Sequence, residues 1–321
     1  MTAPHARPRF ALIDALRGIA IVTMVIFHFA WDLYFLGFSS LDVSTDPFWT
    51  TFQKAIVSAF LALAGISLWF AHGQAIRWPV FWRRQAILVA AALAVSLGTY
   101  LAFGDYFSFF GVLHAIALFS LLALAVLRLP PLWIGMAAAG IILAPLLVTH
   151  PIMRERALAW IGFWPVSPAT ADIVPVFPWL GVLLLGLAFA KAFAGRAFWT
   201  VRVPRGLALL GRWSLVIYLL HQPVLYGGLS GLRLLFHQAS AEQEIADFVA
   251  SCRATRLQSV PDALAAERYC GCALEQVQAD DMWEMLSRER TALEEADVQA
   301  MMGLCDAMSR QPIAEVPAPA L

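Results

Sequence analysis

Apolar residues occur along the first three quarters of the chain in long stretches separated by short polar segments. A helix needs about 20 such residues to cross the roughly 30 Å hydrocarbon core of a bilayer. The first stretch is interrupted by Arg17 and is too long for a cleaved signal peptide. The pattern therefore predicts seven membrane-spanning helices, at Leu12–Leu36, Phe52–Ala71, Gln85–Phe103, Phe109–Leu127, Leu132–Thr149, Val176–Ala190 and Leu207–Phe236.

The last quarter of the chain has a soluble, helical composition instead. Helix-start spacings occur at Ser240/Gln243 and Thr291/Glu294, where a hydroxyl and an amide or carboxylate can cap the first turn. We therefore predict an all-α protein with two domains. Residues 1–237 form a polytopic membrane bundle of seven transmembrane helices, and residues 238–321 form a small soluble helical domain.

Composition supports this division. Of the 321 residues, 60% are apolar and 14% are charged, against about a quarter charged in an ordinary soluble domain. The zero net charge excludes a nucleic-acid-binding chain. Residues 1–237 contain 16 Lys and Arg against 7 Asp and Glu, whereas residues 238–321 contain 6 against 15. The membrane part is thus basic and the soluble part is acidic.

The basic residues predict the orientation of the bundle, because Lys and Arg in short loops favour the cytoplasmic side of a membrane. With a cytoplasmic N-terminus, ten basic residues lie on that side and only Arg154 and Arg156 lie on the other. Seven crossings then place the acidic domain outside the cytoplasm. For a protein of a bacterial inner membrane, that location is the periplasm.

All four cysteines, Cys252, Cys270, Cys272 and Cys305, lie in the predicted outer domain. An even number of cysteines in a small exported segment favours disulfides. On a helix Cys270 and Cys272 point about 200° apart, so each is expected to pair with one of the other two. Two connectivities remain open, and reduced core thiols are the alternative. The Cys-Gly-Cys spacing fits neither a zinc site nor haem attachment, and no metal is expected.

The first predicted span contains ionisable residues, which are costly in hydrocarbon and usually face a bundle interior or a wet cavity. At 100° per residue, Asp14, His28 and Asp32 lie within about 60° of Arg17. This narrow stripe predicts an inward-facing surface that connects the two sides of the membrane. His28 and Asp32 are i, i+4 neighbours, a spacing at which a carboxylate can orient an imidazole. A purely structural link between helices is the alternative interpretation.

The last predicted span has a similar pattern. Ser214, Tyr218 and His221 share one helix face, and Pro223 is expected to kink the helix beside them. This combination indicates either a pocket or simple packing.

Further polar candidates lie next to the outer ends of the spans. His114 begins the fourth span, so three histidines from three spans lie at a similar depth and predict an outward-facing site. Asp105 and Asp172, in the flanking loops, are weaker candidates.

Four segments resemble a known family of membrane proteins. They are Ile13–Leu33, which contains an Arg-Gly pair followed by His28, together with Phe110–His114, Val176–Gly181 and Leu210–Pro223. These segments are similar to the transmembrane acyltransferases and, within them, to the short bacterial branch of the heparan-alpha-glucosaminide N-acetyltransferase family. The resemblance covers residues 8–236 and leaves the acidic domain outside it.

The resemblance implies transfer of an acetyl group from cytoplasmic acetyl-CoA, as co-substrate, to an amino sugar or related glycan across the membrane. On this hypothesis His28, oriented by Asp32, is the general base, and a transient acetyl-histidine is a variant. The expected substrate-binding residues are His114, His221, Tyr218, Ser214 and Asp105. The expected contacts to the CoA phosphates are Arg17, Arg83, Arg84, Arg205 and Arg212. At the His28 position the lysosomal members tend to have asparagine and related O-acyltransferases have histidine, so amine and hydroxyl acceptors both remain open.

The competing interpretation is a non-enzymatic membrane protein, either a proton-linked transporter or a membrane anchor for the acidic domain. A transporter would more often show repeats between its halves, and none is visible in the sequence. A retinal protein needs a lysine in its last span, but the chain's lysines are Lys54 and Lys191. A homo-oligomer is compatible with both the enzymatic and the non-enzymatic interpretation.

Overall fold

The computed structural model describes residues 10–279 and 292–310, and these form helices joined by shorter irregular segments. This confirms the predicted all-α class. The chain divides into two compact units, Met1–Ser230 and Gly231–Leu321. In chain order the helices are α1 (Ala11–Phe35), α2 (Pro47–His72), α3 (Trp78–Phe103), α4 (Val112–Val126), α5 (Pro131–Leu147), α6 (Arg156–Ala159), α7 (Val176–Ala192), α8 (Arg205–Arg212), α9 (Ser214–Ser259), α10 (Ala263–Ala279) and α11 (Ala292–Ser309).

Every apolar stretch of the sequence forms a helix, but the helices differ in length. Among the described residues, four helices are long and apolar enough to cross a membrane, at Ala11–Phe35, Pro47–His72, Trp78–Tyr106 and Ser214–Leu234. The other three, α4, α5 and α7, have 15 to 17 residues. At 1.5 Å per residue they are shorter than the roughly 30 Å hydrocarbon core.

Irregular segments before α4 and α7 fold back into the bundle. We call the end of the bundle where α1 begins the near end, and the end where α1 finishes the far end. Ser96 Oγ in α3 donates to Ser108 O at 2.6 Å, so Ser108 lies about 10 Å before the far end of α3. Phe110 and Ile173 form a parallel bridge, and Val174 N donates to Phe110 O at 2.9 Å. Non-helical backbone at membrane depth needs protein partners of this kind.

The core of the first unit lies between α2, α3, α4 and α7. Leu61, Phe81, Phe119 and Leu183 are among its fully buried side chains. The outer faces of α3 and α5, by contrast, expose large apolar side chains such as Leu101 and Leu147. An exposed apolar surface of this extent is expected for helices that face lipid.

Pairs of glycines allow two close helix crossings. A Cβ atom on Gly18 of α1 would overlap the carbonyl oxygen of Leu207 in α8, and one on Gly211 would overlap the carbonyl oxygen of Asp14. The crossing of α2 and α7 uses Gly65 in the same way, against the carbonyl oxygen of Leu183. Small residues at such contacts are typical of membrane helices, where packing rather than apolar burial drives association.

The predicted seventh span, Leu207–Phe236, differs from the structure at its start. Helix α8 ends at Arg212, Trp213 has φ −94° and ψ 7°, and α9 begins at Ser214. The apolar span therefore starts at Ser214, and α8 is a separate short helix packed on α1. Hydrophobic pattern alone did not show this break, because Arg212 and Ser214 are single polar residues within a longer apolar stretch that resumes at Leu215.

The second unit contains the end of α9 together with α10 and α11. A disulfide between Cys252 and Cys270 joins α9 to α10, and one between Cys272 and Cys305 joins α10 to α11. The expectation that Cys270 and Cys272 do not pair with each other is thus confirmed. The helix start predicted at Ser240/Gln243 is wrong, because α9 continues without a break through these residues, from Ser214 to Ser259. The second predicted capping pair, Thr291/Glu294, lies outside the described residues and side chains.

Polar side chains add to the disulfides in this unit. The guanidinium of Arg256 lies over the ring of Tyr269, 4.4 Å from its centroid, and also pairs with Asp306. Arg253 pairs with Glu267 at 2.8 Å. Three helices that bury few apolar residues are thereby held together by covalent and ionic links.

Candidate active site

A large cavity opens at the near end of the first unit, between α1, the last turns of α2 and the junction of α8 with α9. It has a volume of about 1120 Å³, and we call it the near-end cavity. Three arginines line it, Arg17, Arg77 and Arg212. Arg17 Nη2 donates to Ser67 Oγ at 2.5 Å, and its Nη1 lies 3.5 Å from Asp14. The cavity therefore gathers more positive than negative charge.

A second cavity of about 390 Å³, which we call the central cavity, lies farther into the bundle. Arg17, Ser214 and Leu215 line both cavities, so the two are adjacent. Most of its walls are apolar side chains of α2, α3 and α4. Its polar lining residues are Arg17, Arg83, Arg84, Ser214 and Tyr218.

Arg84 is a partly buried charge on the wall of the central cavity. Among the described residues it has no hydrogen-bond or ion-pair partner. It lies close enough to Arg17 for the two positive charges to repel each other. An unpaired cation beside an apolar cavity favours an anionic ligand, because a charge-assisted hydrogen bond would then replace the lost contact with water.

Two histidines meet between α1 and α9, farther along both helices. The ring centroids of His28 and His221 are 4.8 Å apart. His221 Nδ1 lies 2.6 Å from the carbonyl oxygen of Tyr218, and since a carbonyl can only accept, Nδ1 has the proton and Nε2 has the lone pair. Within the described part of the chain, His28 Nδ1 and His221 Nε2 are buried without partners. This histidine pair thus offers ring nitrogens that are free to exchange a proton.

Asp32 is fully buried, and its described hydrogen bond goes to Gln222 rather than to His28. Its Oδ1 accepts from Gln222 Nε2 at 3.1 Å, and the described hydrogen bonds include none between Asp32 and His28. The i, i+4 spacing would allow a hydrogen bond between Asp32 and His28. Instead, the side-chain amide of Gln222, the residue after His221 on α9, donates to the carboxyl group of Asp32. In the sequence Gln222 follows the candidate residue His221. Its contact with Asp32 becomes visible only where α1 and α9 cross in the structure.

Two of the predicted substrate-binding residues are not brought to the histidine pair. His114 Nε2 lies 3.3 Å from Ser96 Oγ, and its ring stacks on Phe110. Asp105 is exposed and lies 3.5 Å from Arg156. Neither residue lines either cavity, and the same is true of His28 and His221, which lie farther along α1 and α9 than the cavity-lining residues.

Of the five arginines predicted to contact the CoA phosphates, four line at least one of the cavities and one does not. The structure places Arg17, Arg83 and Arg84 on the central cavity and Arg212 on the near-end cavity. Arg205 is exposed at the start of α8 and lines neither cavity. Arg77, between α2 and α3, also lines the near-end cavity, although it is not among the predicted phosphate contacts.

Asp172 connects the infolded segments to α4. Its Oδ2 accepts from Val112 N at 3.3 Å, in the first turn of α4, where the helix dipole favours a negative charge. Burial nevertheless raises the pKa of Asp172 to about 6, against the opposing effect of hydrogen bonds from the Val112 and Ile173 amides. Asp172 also lies near Tyr218, which lines the central cavity. The sequence identified this carboxylate only as one of two loop candidates.

Comparison with known protein families identifies a match. The family model described as heparan-alpha-glucosaminide N-acetyltransferase, catalytic, matches residues 9–223. No curated protein and no solved structure matches the chain. The matched residues include the lining of both cavities and the histidine pair. Because the match covers about two thirds of the chain, the protein belongs to the heparan-alpha-glucosaminide N-acetyltransferase catalytic family, as its resemblance predicted.

Proposed function

We propose that the chain is a membrane-embedded acetyltransferase, which moves the acetyl group of cytoplasmic acetyl-CoA to an amine or hydroxyl of a periplasmic glycan. One arrangement supports this most. Helices α1 and α9 each have a cavity-lining polar residue near one end and a histidine farther along. Arg17 and His28 are about 16 Å apart along α1, and Ser214 and His221 are about 10 Å apart along α9.

The two adjacent cavities fit the two parts of the donor. The near-end cavity is large enough for the nucleotide, and Arg77 and Arg212 are placed to bind its phosphates. The central cavity, which is smaller and apolar, suits the pantetheine arm. Arg17 lies where the cavities join, and Arg84 and Arg83 provide further positive charge beside the arm.

The chemistry assigned to the histidine pair is acyl transfer. The acceptor nitrogen or oxygen attacks the thioester carbonyl carbon, His28 takes the acceptor's proton, and the carbon–sulfur bond breaks. The proton then passes to the departing thiolate, which leaves as the thiol of CoA. Base catalysis of this kind contributes about 10²- to 10⁴-fold. Tyr218, one turn before His221, is the proposed donor to the oxyanion, and Ser214 lies beside the arm.

The proposal includes the seven-span topology, with the near end in the cytoplasm and the second unit in the periplasm. Three of the seven helices are short, and the infolded segments before α4 and α7 supply buried backbone at the far end. This arrangement supports a complete crossing by short helices, because irregular backbone is tolerated where protein encloses it.

The test is acetyl transfer from labelled acetyl-CoA by membranes that contain the wild-type chain or a variant. His28→Ala is expected to lower the rate by about 10²- to 10⁴-fold. His150→Ala is the matched control, because His150 is exposed in the loop after α5. Undiminished transfer by His28→Ala excludes His28 as the base. Solute flux coupled to pH, without acetyl transfer, would favour the transporter instead.

A further inference from the structure

Gln222 has no part in the reaction proposed above, yet it joins the two helices that contain the histidine pair. Its Nε2 donates to Asp32 Oδ1 at 3.1 Å. Asp32 is fully buried, and no Lys or Arg in the described part of the chain pairs with it. Gln222 Oε1 and Asp32 Oδ2 are themselves buried without partners. The bond between them is therefore the one polar contact that either side chain makes among the described residues.

The contact between Gln222 and Asp32 lies next to the contact between His28 and His221. On α1, His28 and Asp32 are four residues apart and lie on one face. On α9, His221 and Gln222 are adjacent, and they meet His28 and Asp32 respectively. Two successive contacts thus link the helices, one between imidazoles and one between an amide and a carboxyl group.

The rest of the nearby contact between α1 and α9 is apolar. Met24 and Phe27 pack in a cluster that includes Ile217. The hydrophobic effect is not directional, so apolar contacts constrain the rotation and register of two helices less strictly than a hydrogen bond does. Among the described side chains, the Gln222–Asp32 hydrogen bond is the one directional polar link between α1 and α9.

We propose that Gln222 is a positioning residue, which anchors Asp32 and thereby fixes the separation of His28 from His221. This inference rests on the proposed function, in which His28 takes the acceptor's proton. Without the amide, Asp32 is left buried and unpaired, and α1 shifts or rotates until water or another group reaches the carboxyl group. A displacement of about 1 Å in a reacting group costs about 10²-fold in rate, so the consequence for transfer is large.

The first experiment measures position independently of activity. Cysteines replace the histidines in a His28→Cys, His221→Cys variant, and membranes are treated with a short bifunctional thiol reagent. The four native cysteines are already paired in disulfides. Gln222→Leu is expected to slow cross-linking about tenfold. Gln85→Leu is the matched control, because Gln85 is another buried amide, which donates to Ala117 O at 3.1 Å.

Equal cross-linking rates with glutamine or leucine at position 222 would overturn the proposal, and so would an equal slowing by Gln85→Leu. Slowing by Gln222→Leu alone supports it. These outcomes do not depend on whether the chain transfers acetyl groups.

The second experiment measures transfer. Because Gln222 lines neither cavity, Gln222→Leu is expected to lower kcat by about 10²-fold and leave the KM for acetyl-CoA unchanged. The double variant Gln222→Asn, Asp32→Glu moves one methylene from one side of the contact to the other. It is expected to recover part of the rate that each single substitution loses.

A rise in donor KM without a fall in kcat would overturn the positioning role, as would a double variant no better than the single ones. If the wild-type chain transfers no acetyl group, the proposed function fails. The cross-linking rates then still decide whether Gln222 positions α1 against α9.

Discussion

At the scale of single residues, a charged side chain in an apolar helix depends on the partner that the fold provides. Arg17 has Asp14 and Ser67, whereas Arg84 has the central cavity and no acidic partner among the described residues. Removing the charge of Arg84 is therefore expected to act on a ligand rather than on the fold.

For Arg84→Gln we expect the KM for acetyl-CoA to rise at least about tenfold, because a charge-assisted hydrogen bond contributes about 1.5 to 3 kcal/mol. kcat is expected to stay within about twofold, because the lost contact stabilises the bound substrate and the transition state equally. Steady-state transfer with varied acetyl-CoA measures both constants. Arg205→Gln is the control, because Arg205 lines neither cavity. Equal effects of the two substitutions would contradict the assignment of Arg84.

Asp172 predicts a pH dependence of stability. Its pKa is raised from 3.8 to about 6 in the folded protein, so the folded state holds this proton more tightly than the unfolded state. The stabilisation is complete below about pH 4 and is lost as pH rises through about 6, and it amounts to about 2 to 3 kcal/mol. Asp172→Asn keeps an acceptor for Val112 N but does not titrate, so this part of the pH dependence should disappear.

Thermal unfolding in detergent between pH 4 and pH 7 measures this effect as the difference between wild type and Asp172→Asn. Asp105→Asn serves as the comparison, because Asp105 is exposed in a neighbouring loop. A difference curve that is flat from pH 4 to pH 7 would show that burial does not control the protonation of Asp172.

At the scale of helices, the sequence predicted the features that depend on hydrophobic periodicity. It did not predict the features that depend on how two helices cross. In the described part of the chain each predicted apolar stretch corresponds to an apolar helix, four of them long enough to span a membrane and three shorter. The stripe on α1 predicted that Asp32 faces inward, where it is fully buried. The break at Trp213 and the Gln222–Asp32 bond were not predictable. Both depend on how α8 and α9 meet α1, and neither changes the local pattern of apolar and polar residues.

The glycine contact between α1 and α8 predicts a sensitive position close to the site. Gly18 follows Arg17, and a Cβ atom there would overlap the carbonyl oxygen of Leu207. Gly18→Val is expected to destabilise the first unit by about 1 to 3 kcal/mol, because α8 must move away. Gly98→Val is the matched control, because that helical position in α3 has open space around it. The fraction of monodisperse protein that remains after heating in detergent compares the two variants, and equal losses would count against the close crossing.

At the scale of the whole molecule, charge and cysteine usage point to the same orientation. Lys191 Nζ donates to the carbonyl oxygens of Leu127 and Leu129, at 3.1 and 2.7 Å. This places the end of α7 and the loop between α4 and α5 together at the near end, where basic residues are common. The second unit, with two disulfides, is suited to an oxidising compartment. Both observations agree with the proposed orientation, in which the near end is cytoplasmic and the second unit is periplasmic.

Reporter fusions test this orientation together with the number of crossings. A reporter that is active only after export is expected to be inactive when joined after Leu129 or Gly195, and active after His150 or Leu321. The pairs on either side of α5 and α7 are decisive, because these helices have only 17 residues each and about 20 are usually needed. Equal activity after Leu129 and His150 would show that α5 does not cross. The opposite pattern at all four positions would reverse the orientation and place the disulfides in the cytoplasm, where thiols are kept reduced.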